Sequence, residues 1–444
     1  MSRHYVDFAV DIESAAGGGY RVRASSPQAE AESLTRFDFD LERLKAGLSF
    51  RVSGALPGTQ ARDLANSAGA PAASPDLMEM GRNLFAALFA GEVGVLYGSA
   101  WSAALAADQG LRIRLHLRPR TPELAGLTKI PWEILFDERA GGFPCLNPLS
   151  PVIRHLDLPR PVERVPFRMP LRVLVVAANP AGLSALDLKG EQDGIRASRR
   201  VRVQVLEGRG PEDLRRELCR GENQGGYQIV HFMGHGLSDA DQGSLVFATE
   251  EGRARTVTGN ELSQIAQGSP ALGLALLNAC HSAADPKGSG ADPLAGVAGS
   301  LVRGGLPAVV GMQFAISDRA ALTFSRVLYE RLAEGDPIEV AVSEARLAIY
   351  LADSSSSDWV APVLFMRGSD RRIEEEDMKE KRTERALNQA SLKSPNIEAD
   401  EIVFTGAFLP EEAQAPCDSS VKVEAELTRA KKLTITGSDF RKAK

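Results

Sequence analysis

Several patterns that would assign a class at once are absent from this chain of 444 residues. Its four cysteines, Cys145, Cys219, Cys280 and Cys417, form no Cys-x-x-Cys pair, which argues against a zinc ribbon or a disulfide framework and indicates a reducing compartment. No apolar run approaches the ~18 residues of a membrane span, and the first residues lack the apolar segment of a signal peptide. We therefore expect a cytoplasmic protein with no membrane partner.

Nucleotide and metal signatures are also missing. The net charge of −6 provides no positive field, so nucleic acid is not an expected partner. Neither Gly-x-x-x-x-Gly-Lys-Ser/Thr nor Gly-x-Gly-x-x-Gly follows the strand predicted at 171–178, which leaves nucleotide binding or phosphohydrolysis a distant third hypothesis. Asp239 and Asp241 show no metal-ligand spacing, so we expect no metal and no cofactor, with a divalent activator left open.

What the chain does contain is a regular alternation of strand and helix patterns. Apolar or alternating runs predict strands, and amphipathic runs between them predict helices, so the fold class is α/β with a mostly parallel sheet and helices on both faces. One run, 111–117, places leucines and Ile113 on one side and Arg112, Arg114 and His116 on the other, and predicts a half-solvated strand. The other predicted strands are 6–10, 20–24, 48–52, 201–206, 308–312 and 361–366, a hairpin at 244–258, and the two strands discussed next.

Two apolar strands end in residues suited to nucleophilic chemistry. Residues 227–236 read Tyr-Gln-Ile-Val-His-Phe-Met-Gly-His-Gly, and residues 272–281 read Leu-Gly-Leu-Ala-Leu-Leu-Asn-Ala-Cys-His. Because ligands and chemistry collect at the carboxyl ends of parallel strands, His235 and Cys280 are expected at the same rim. A thiol needs a neighbouring base to ionise near neutral pH, and His235 is the candidate.

The backbone amides of Gly236 and Cys280 are the candidate donors of an oxyanion hole. The alternative is that Cys280 is an ordinary core cysteine, since free cysteine is among the most buried residue types. His231 lies within the apolar run and is read as a core histidine. His281 is a poor base for Cys280, because neighbours in a strand point to opposite faces.

These motifs resemble a known family. Gly-His-Gly closing one strand and Asn-Ala-Cys closing a later one resemble the caspase-like cysteine peptidases of clan CD, whose histidine and cysteine lie roughly 50 residues apart in caspases. The sequence is most similar to the CHAT branch, the bacterial relatives of caspases and separases. Ile130-Pro-Trp-Glu-Ile-Leu-Phe-Asp and Pro151-Val-Ile-Arg resemble its first half, and Gly304-Gly-Leu-Pro-Ala-Val-Val-Gly-Met its second. The tryptophan usual near Gln313 is absent.

The resemblance covers about residues 80–368 and implies a caspase-like three-layer sandwich, with a pseudo-caspase half followed by an active half. The predicted divisions are a β-rich region at 1–65, the pseudo-caspase half at 66–165, the active half at 166–370, a charged linker helix at 371–394 and a tail of unassigned role at 395–444. Cys145, in a loop of the first half, is read as structural.

The resemblance also implies a function and a specificity. Asp318 resembles an aspartate that in separase-like relatives faces the residue before the cleaved bond, and would favour Lys or Arg there. Either Ser317 or Asp318 could instead be the N-cap of the following helix. The Gly- and Pro-rich segment 283–293 is expected either to gate the site or to be a plain surface loop.

The leading hypothesis is a regulated cysteine endopeptidase that cuts a specific protein partner, responds to a protein activator, and acts in bacterial defence or cell death. The rival is a catalytically silent caspase-like scaffold for protein interaction.

Overall fold

The computed structural model describes residues 4–15, 18–37, 77–117, 122–128, 130–155, 167–183, 186, 188–222, 225–239, 242–281, 293–314, 316–367, 402–405 and 433–436. The chain divides into two compact units, Met1–Ser369 and Asp370–Lys444. Of the second unit, the structure describes two strands, β14 (Ile402–Thr405) and β15 (Leu433–Thr436), which pair in parallel. Both coincide with apolar patches in the tail.

The first unit is built on one sheet of thirteen strands. They are β1 (Tyr5–Ala15), β2 (Gly19–Ser25), β3 (Glu30–Thr35), β4 (Gly110–His116), β5 (Val152–His155), β6 (Leu171–Ala177), β7 (Val201–Glu207), β8 (Ile229–Asp239), β9 (Gln242–Ala248), β10 (Ala254–Thr258), β11 (Leu274–His281), β12 (Ala308–Met312) and β13 (Pro362–Met366).

The strand order brings the second half of the chain against the first. From β8 the sheet runs β8-β11-β12-β13-β5-β4-β1-β2-β3, with β6 and β7 beside the first part of β8 and the β9–β10 hairpin beside its last part. Seven of the strand pairs are parallel: β1–β4, β4–β5, β5–β13, β6–β7, β6–β8, β8–β11 and β11–β12. Since β12 and β13 are antiparallel, β5, β4 and β1 run opposite to β8 and β11.

The helices form two groups around this sheet. They are α1 (Leu77–Leu88), α2 (Gly91–Ala106), α3 (Pro122–Leu127), α4 (Leu188–Arg196), α5 (Pro211–Glu222), α6 (Gly259–Gln267), α7 (Pro293–Gly304), α8 (Asp318–Glu334) and α9 (Ile338–Ala352). In the second half, α4 and α9 pack on α8, while α5 and α7 pack on α6. The predicted α/β fold class with a mostly parallel sheet is confirmed.

Two predictions about individual strands are wrong. The first placed the end of one strand at His235, but β8 continues to Asp239 because its last residues pair with β9. The second made β4 half solvated, but the Arg112 side chain is buried between two carboxylates: its Nε lies 2.6 Å from Asp7 Oδ1, and its Nη1 donates to Glu339 of α9. A paired charge can be buried on a strand face where an unpaired one cannot.

One helix, α6, was not predicted although the sequence marks its start. The Thr258 hydroxyl accepts from the Glu261 amide, and the Glu261 carboxylate accepts from the Thr258 amide, which is a capping box. Thr-x-x-Glu at 258–261 is a helix-start signal that can be read from the sequence. The strand predicted at 48–52 and the linker helix at 371–394 lie outside the described residues, and the predicted domain boundaries stay predictions.

Within the described part of the chain, no single helix is both long and apolar enough to cross a membrane. Only α1 and α2 together, bent by 102° at their junction, reach that length and composition.

A buried carboxylate joins the two halves of the sheet. Glu133, 1% exposed, lies in the 3₁₀ helix Trp132–Ile134, and its Oε2 accepts from Arg154 Nη2 of β5 at 2.7 Å. The same oxygen accepts from Gln313 Nε2, just after β12, at 2.8 Å, and Arg346 Nη2 of α9 lies 3.9 Å from Oε1. Arg154 also donates to Gln313 Oε1 at 2.8 Å. Both halves therefore contribute charges to one buried network.

We predict that Glu133→Gln lowers the free energy of unfolding by about 3–5 kcal/mol, because it leaves Arg154 and Arg346 buried without their anionic partner. Urea denaturation at neutral pH measures the change. Arg326→Ala, which breaks the exposed Arg326–Glu330 pair on α8, is the control and should cost less than about 1 kcal/mol.

Wild type and Glu133→Gln also test how the stability contributed by Glu133 depends on pH. Burial acts to raise the pKa of Glu133, but Arg154, Arg346 and the hydrogen bond from Gln313 together hold it below the ordinary 4.5. The stabilisation is therefore complete above that ordinary pKa and is lost as the pH falls through the lowered pKa of the folded state. The gap between wild type and Glu133→Gln should narrow in acid; a gap that stays constant would contradict this assignment.

Candidate active site at the ends of β8 and β11

The two residues of the expected dyad are neighbours in the sheet. β8 and β11 are adjacent and parallel, and their register pairs Cys280 with His235 and Asn278 with Met233. Residues that are paired across adjacent strands have Cβ atoms about 5 Å apart when they share a face. The structure thus brings the backbone of Cys280 next to a buried imidazole, although 44 residues separate the two in sequence.

His231 shows which helices cover this face of β8. It lies on the same side of the strand as Met233 and His235, because every second residue of a strand shares a face. Its side chain is fully buried, with Nδ1 3.2 Å from the Tyr329 hydroxyl of α8. Nε2 lies 3.1 Å from Glu191 Oε1 of α4, in electrostatic contact but poorly aligned for a hydrogen bond. His231 is therefore a core histidine, as the sequence indicated.

Burial, together with the charge of Glu191, raises the pKa of Tyr329 well above its ordinary value. The hydroxyl therefore stays protonated and can donate to Nδ1 of His231.

The same carboxylate holds β11. Asn278 Nδ2 donates to both oxygens of Glu191, at 2.8 and 2.9 Å, and the Ser325 hydroxyl of α8 donates to Oε1 at 2.5 Å. Because Asn278 and His231 both reach Glu191, they lie on the same face of the sheet. Cys280, two residues after Asn278 in the strand, occupies a position on that face as well. Glu191 thus connects α4, α8, β8 and β11 close to the positions of His235 and Cys280 in their strands.

The two glycines around His235 have different surroundings. A Cβ on Gly234 would lie 2.8 Å from the Phe232 ring, so packing on the opposite face of β8 requires this glycine. Gly236 lies within the sheet, paired with Leu245 on one side and His281 on the other. Strand pairing therefore surrounds the amide that was expected to be an oxyanion donor, and the roles of the Gly236 and Cys280 amides stay predictions.

A small, open cleft lies on the same face. Its floor contains Met233, Gly234 and Asn278 from the two strands. Its walls come from α8 and from the start of α4, and are formed by Leu186, Leu188, Glu191, Asp318, Ala321 and Leu322. The cleft is mostly apolar, with carboxylates on two sides, and it lies one to two residues from His235 and Cys280 along their strands.

Asp318 is exposed at the start of α8, in the wall of this cleft. The cap of the helix is Ser317, whose hydroxyl accepts from the Ala320 amide at 3.3 Å and donates to Asp358 Oδ2 at 2.5 Å. Of the two capping candidates, the structure selects Ser317. The helix N-terminus favours a negative charge at Asp318 without using its side chain as the cap.

Cys145 is separate from this site. It lies in the 3₁₀ helix Pro144–Leu146, is 1% exposed, and its Sγ donates to the Glu133 carbonyl at 3.0 Å. Burial raises the pKa of the Cys145 thiol to about 12. A protonated thiol is neither a nucleophile nor a metal ligand, so the structural interpretation of Cys145 agrees with its surroundings.

Among the described residues, no cluster of three or more His, Cys, Asp or Glu side chains could hold a metal ion. Residues 283–292, most of the expected gating segment, lie outside the described residues, as does the side chain of Cys280.

Comparison with known families assigns the chain to one of them. The CHAT domain model matches residues 80–367, which span both halves of the sheet and include His235 and Cys280. The chain belongs to the CHAT domain family. This confirms the resemblance to the CHAT branch that was seen in the sequence. No curated protein matches the chain.

The solved structures that match the chain include a separase–securin complex and the cysteine proteinase gingipain R. A chain of the Saccharomyces cerevisiae separase–securin complex is 12% identical with a TM-score of 0.42, and the match covers 82% of this CHAT protein and 30% of that chain. The Arg-specific cysteine proteinase gingipain R is 10% identical with a TM-score of 0.37 and 73% coverage of each chain. The complex of the Porphyromonas gingivalis RgpB pro- and mature domains is 11% identical with a TM-score of 0.36, covering 73% of this chain and 75% of that one. This CHAT protein thus spans under a third of the separase-complex chain.

Sequence reasoning missed Glu191 as a part of the site. It lies in Leu188-Lys-Gly-Glu-Gln-Asp, a polar stretch read only as a helix. Its one signal is the amphipathic spacing that puts Glu191 on the same side of α4 as Leu188 and Ile195. A charged residue on the apolar side of a helix indicates a buried partner, but the sequence does not say which.

We predict that Cys145 resists alkylation by iodoacetamide in the folded CHAT protein, because at neutral pH a thiol with a pKa of about 12 is only about 10⁻⁵ ionised. Mass spectrometry of the tryptic peptides measures labelling, with the exposed Cys219 as the positive control. Rapid labelling of Cys145 without denaturant would show that the thiol is accessible.

Proposed function

We propose that this CHAT protein is an endopeptidase that cuts a specific protein partner through a Cys280–His235 dyad. The observation that carries the proposal is the register of β8 and β11, which pairs these two residues on adjacent parallel strands. His235 would take the proton of the thiol and return it to the leaving amine, in the manner of cysteine peptidases. The activity would be regulated, since His235 is only 1% exposed and substrate access requires a rearrangement around it.

We further propose that the cleft beside the dyad receives the side chain that precedes the cleaved bond. Leu188, Met233 and Leu322 provide apolar surface for an aliphatic stem, and Asp318 provides a negative charge. A lysine or arginine side chain has both features. We expect cytoplasmic action on a protein substrate, control by a protein activator, and a place in bacterial defence or cell death.

The dyad is tested by cleavage mapping. We predict that wild-type protein, incubated with cell lysate and with the products of neighbouring genes, generates new protein N-termini that are absent with Cys280→Ala or His235→Ala. Removing either member of such a dyad abolishes most of the rate enhancement. Cys219→Ala removes an exposed thiol elsewhere and should cut like wild type. If the Cys280→Ala protein still performs every cellular role, the chain acts instead as an interaction scaffold.

The specificity is tested on a peptide library. We predict that Asp318→Asn lowers kcat/KM by about 10- to 100-fold for peptides with Lys or Arg before the cleaved bond, because a charge-assisted hydrogen bond is lost. Ser317→Ala is the matched control one residue away: loss of the cap should cost about 1 kcal/mol of stability and leave specificity intact. Equal specificity in Asp318→Asn and wild type would exclude Asp318 from substrate binding.

A further inference from the structure

The strand β3 (Glu30–Thr35) forms one edge of the thirteen-stranded sheet. In the described part of the chain it pairs only with β2, through six consecutive antiparallel pairs without a bulge. Helix α2 packs on one face of β3, beside Ser33, and leaves the other face exposed. The strand contains neither proline nor lysine, residues that often prevent pairing at a sheet edge. Its outer backbone groups can therefore pair with a further strand.

The exposed face of β3 continues an alternation of charge across the sheet. Asp11 of β1 is paired with Arg23 of β2, and Arg23 is paired with Glu32 of β3. The last two form an exposed ion pair, with Arg23 Nε 3.4 Å from Glu32 Oε2. The row thus runs negative, positive, negative and ends in a carboxylate at the edge. A strand added at this edge is favoured when it brings a cation opposite Glu32.

Two further side chains follow Glu32 along the same face. Leu34 is 70% exposed and is paired with Arg21 of β2. Arg36 is exposed directly after the strand, and a Cβ on Gly19 would lie 3.7 Å from its Cγ, which places it on the face of Arg21 and Leu34. The edge therefore presents an acid, an apolar residue and a base at regular spacing. This order is complementary to its own reverse.

We propose that β3 is the surface through which two copies of this chain associate, by antiparallel pairing of their β3 strands about a two-fold axis at Leu34. An antiparallel copy reverses the order, so Glu32 faces the partner's Arg36 and Leu34 faces the partner's Leu34. The same patch thus meets itself, as a two-fold interface requires. Pairing centred on Glu32 would oppose two carboxylates, and pairing centred on Ser33 would oppose Leu34 to a carboxylate, so the charges select one register. The inference does not depend on peptidase activity.

The first experiment measures the mass of the full chain by analytical ultracentrifugation from about 1 to 100 μM, a range in which weak interfaces dissociate. Wild type should form a reversible dimer. Glu32→Arg and Arg36→Glu each oppose like charges at two contacts, and each should raise the dissociation constant at least about tenfold. An equimolar mixture of these two variants places a base opposite an acid at both contacts and should recover the dimer. Glu207→Arg, exposed at the end of the edge strand β7, is the control and should dimerise like wild type.

The second experiment tests the register by cross-linking. In a Cys219→Ala background, which removes an exposed thiol, Leu34→Cys places two thiols opposite each other at the axis. Facing residues on paired strands have Cβ atoms about 5 Å apart, close to the separation that a disulfide spans. Mild oxidation should therefore link Leu34→Cys at least about tenfold faster than Val95→Cys, which is also 70% exposed but lies on α2.

Each outcome decides the proposal. A wild type that stays monomeric over the whole range overturns it, and so does a dimer that persists unchanged in both single charge variants, because the contact is then elsewhere. A mixture without recovery, or Leu34→Cys that links no faster than Val95→Cys, also contradicts it. Circular dichroism establishes that each variant is folded. If either charge variant does not fold, the cross-linking rates decide alone.

Discussion

The structure depends on the buried ion pair between Glu133 and Arg154. Arg154 lies on β5, and Glu133 precedes it in a short 3₁₀ helix, so both belong to the first half of the chain. Arg154 also donates to the Thr128 and Ile130 carbonyls of the first half. The second half contributes further contacts: Gln313 bonds to both side chains, and Arg346 lies near the carboxylate while donating to the Pro362 carbonyl. Buried charges tolerate little displacement, because each loses its compensation when a partner moves. This network therefore fixes β5 against β12 and β13, where the halves meet.

The reversal of strand direction at this junction places the carboxyl ends of the two sets of strands at opposite edges of the sheet. β5, β4 and β1 run opposite to β8 and β11, so their carboxyl ends lie at the other edge of the sheet from Cys280. In the first half, the polar side chains along β1 and β4 are engaged in pairs: Asp7 contacts both Arg112 and Arg114. Arg112 also donates to Glu339, so this group of charges helps to hold α9 against β4.

The fold class could be predicted from the sequence because strand and helix patterns have different periods. The closeness of His235 and Cys280 on neighbouring strands could be predicted because each residue lies near the end of an apolar run. The predicted end of β8 was wrong, because its continuation to Asp239 depends on pairing with β9, and the periodicity of one strand does not reveal its partner. The same limit applies to Arg112, whose burial depends on Glu339, 227 residues later. The Glu133 and Arg154 motifs were noticed as resemblances, but their pairing with each other and with Gln313 is a property of the folded chain alone.

Glu133 and Glu191 show how two buried carboxylates can serve different ends. Around Glu133 every described partner is satisfied in turn: Gln313, for example, donates to Glu133 and to the Val360 carbonyl and accepts from Arg154. Around Glu191 the Asn278 amide donates to both carboxylate oxygens, while its own oxygen is buried with no hydrogen-bond partner among the described residues. The network around Glu191 thus joins α4 and α8 to the two central strands, and the network around Glu133 joins the two halves of the sheet.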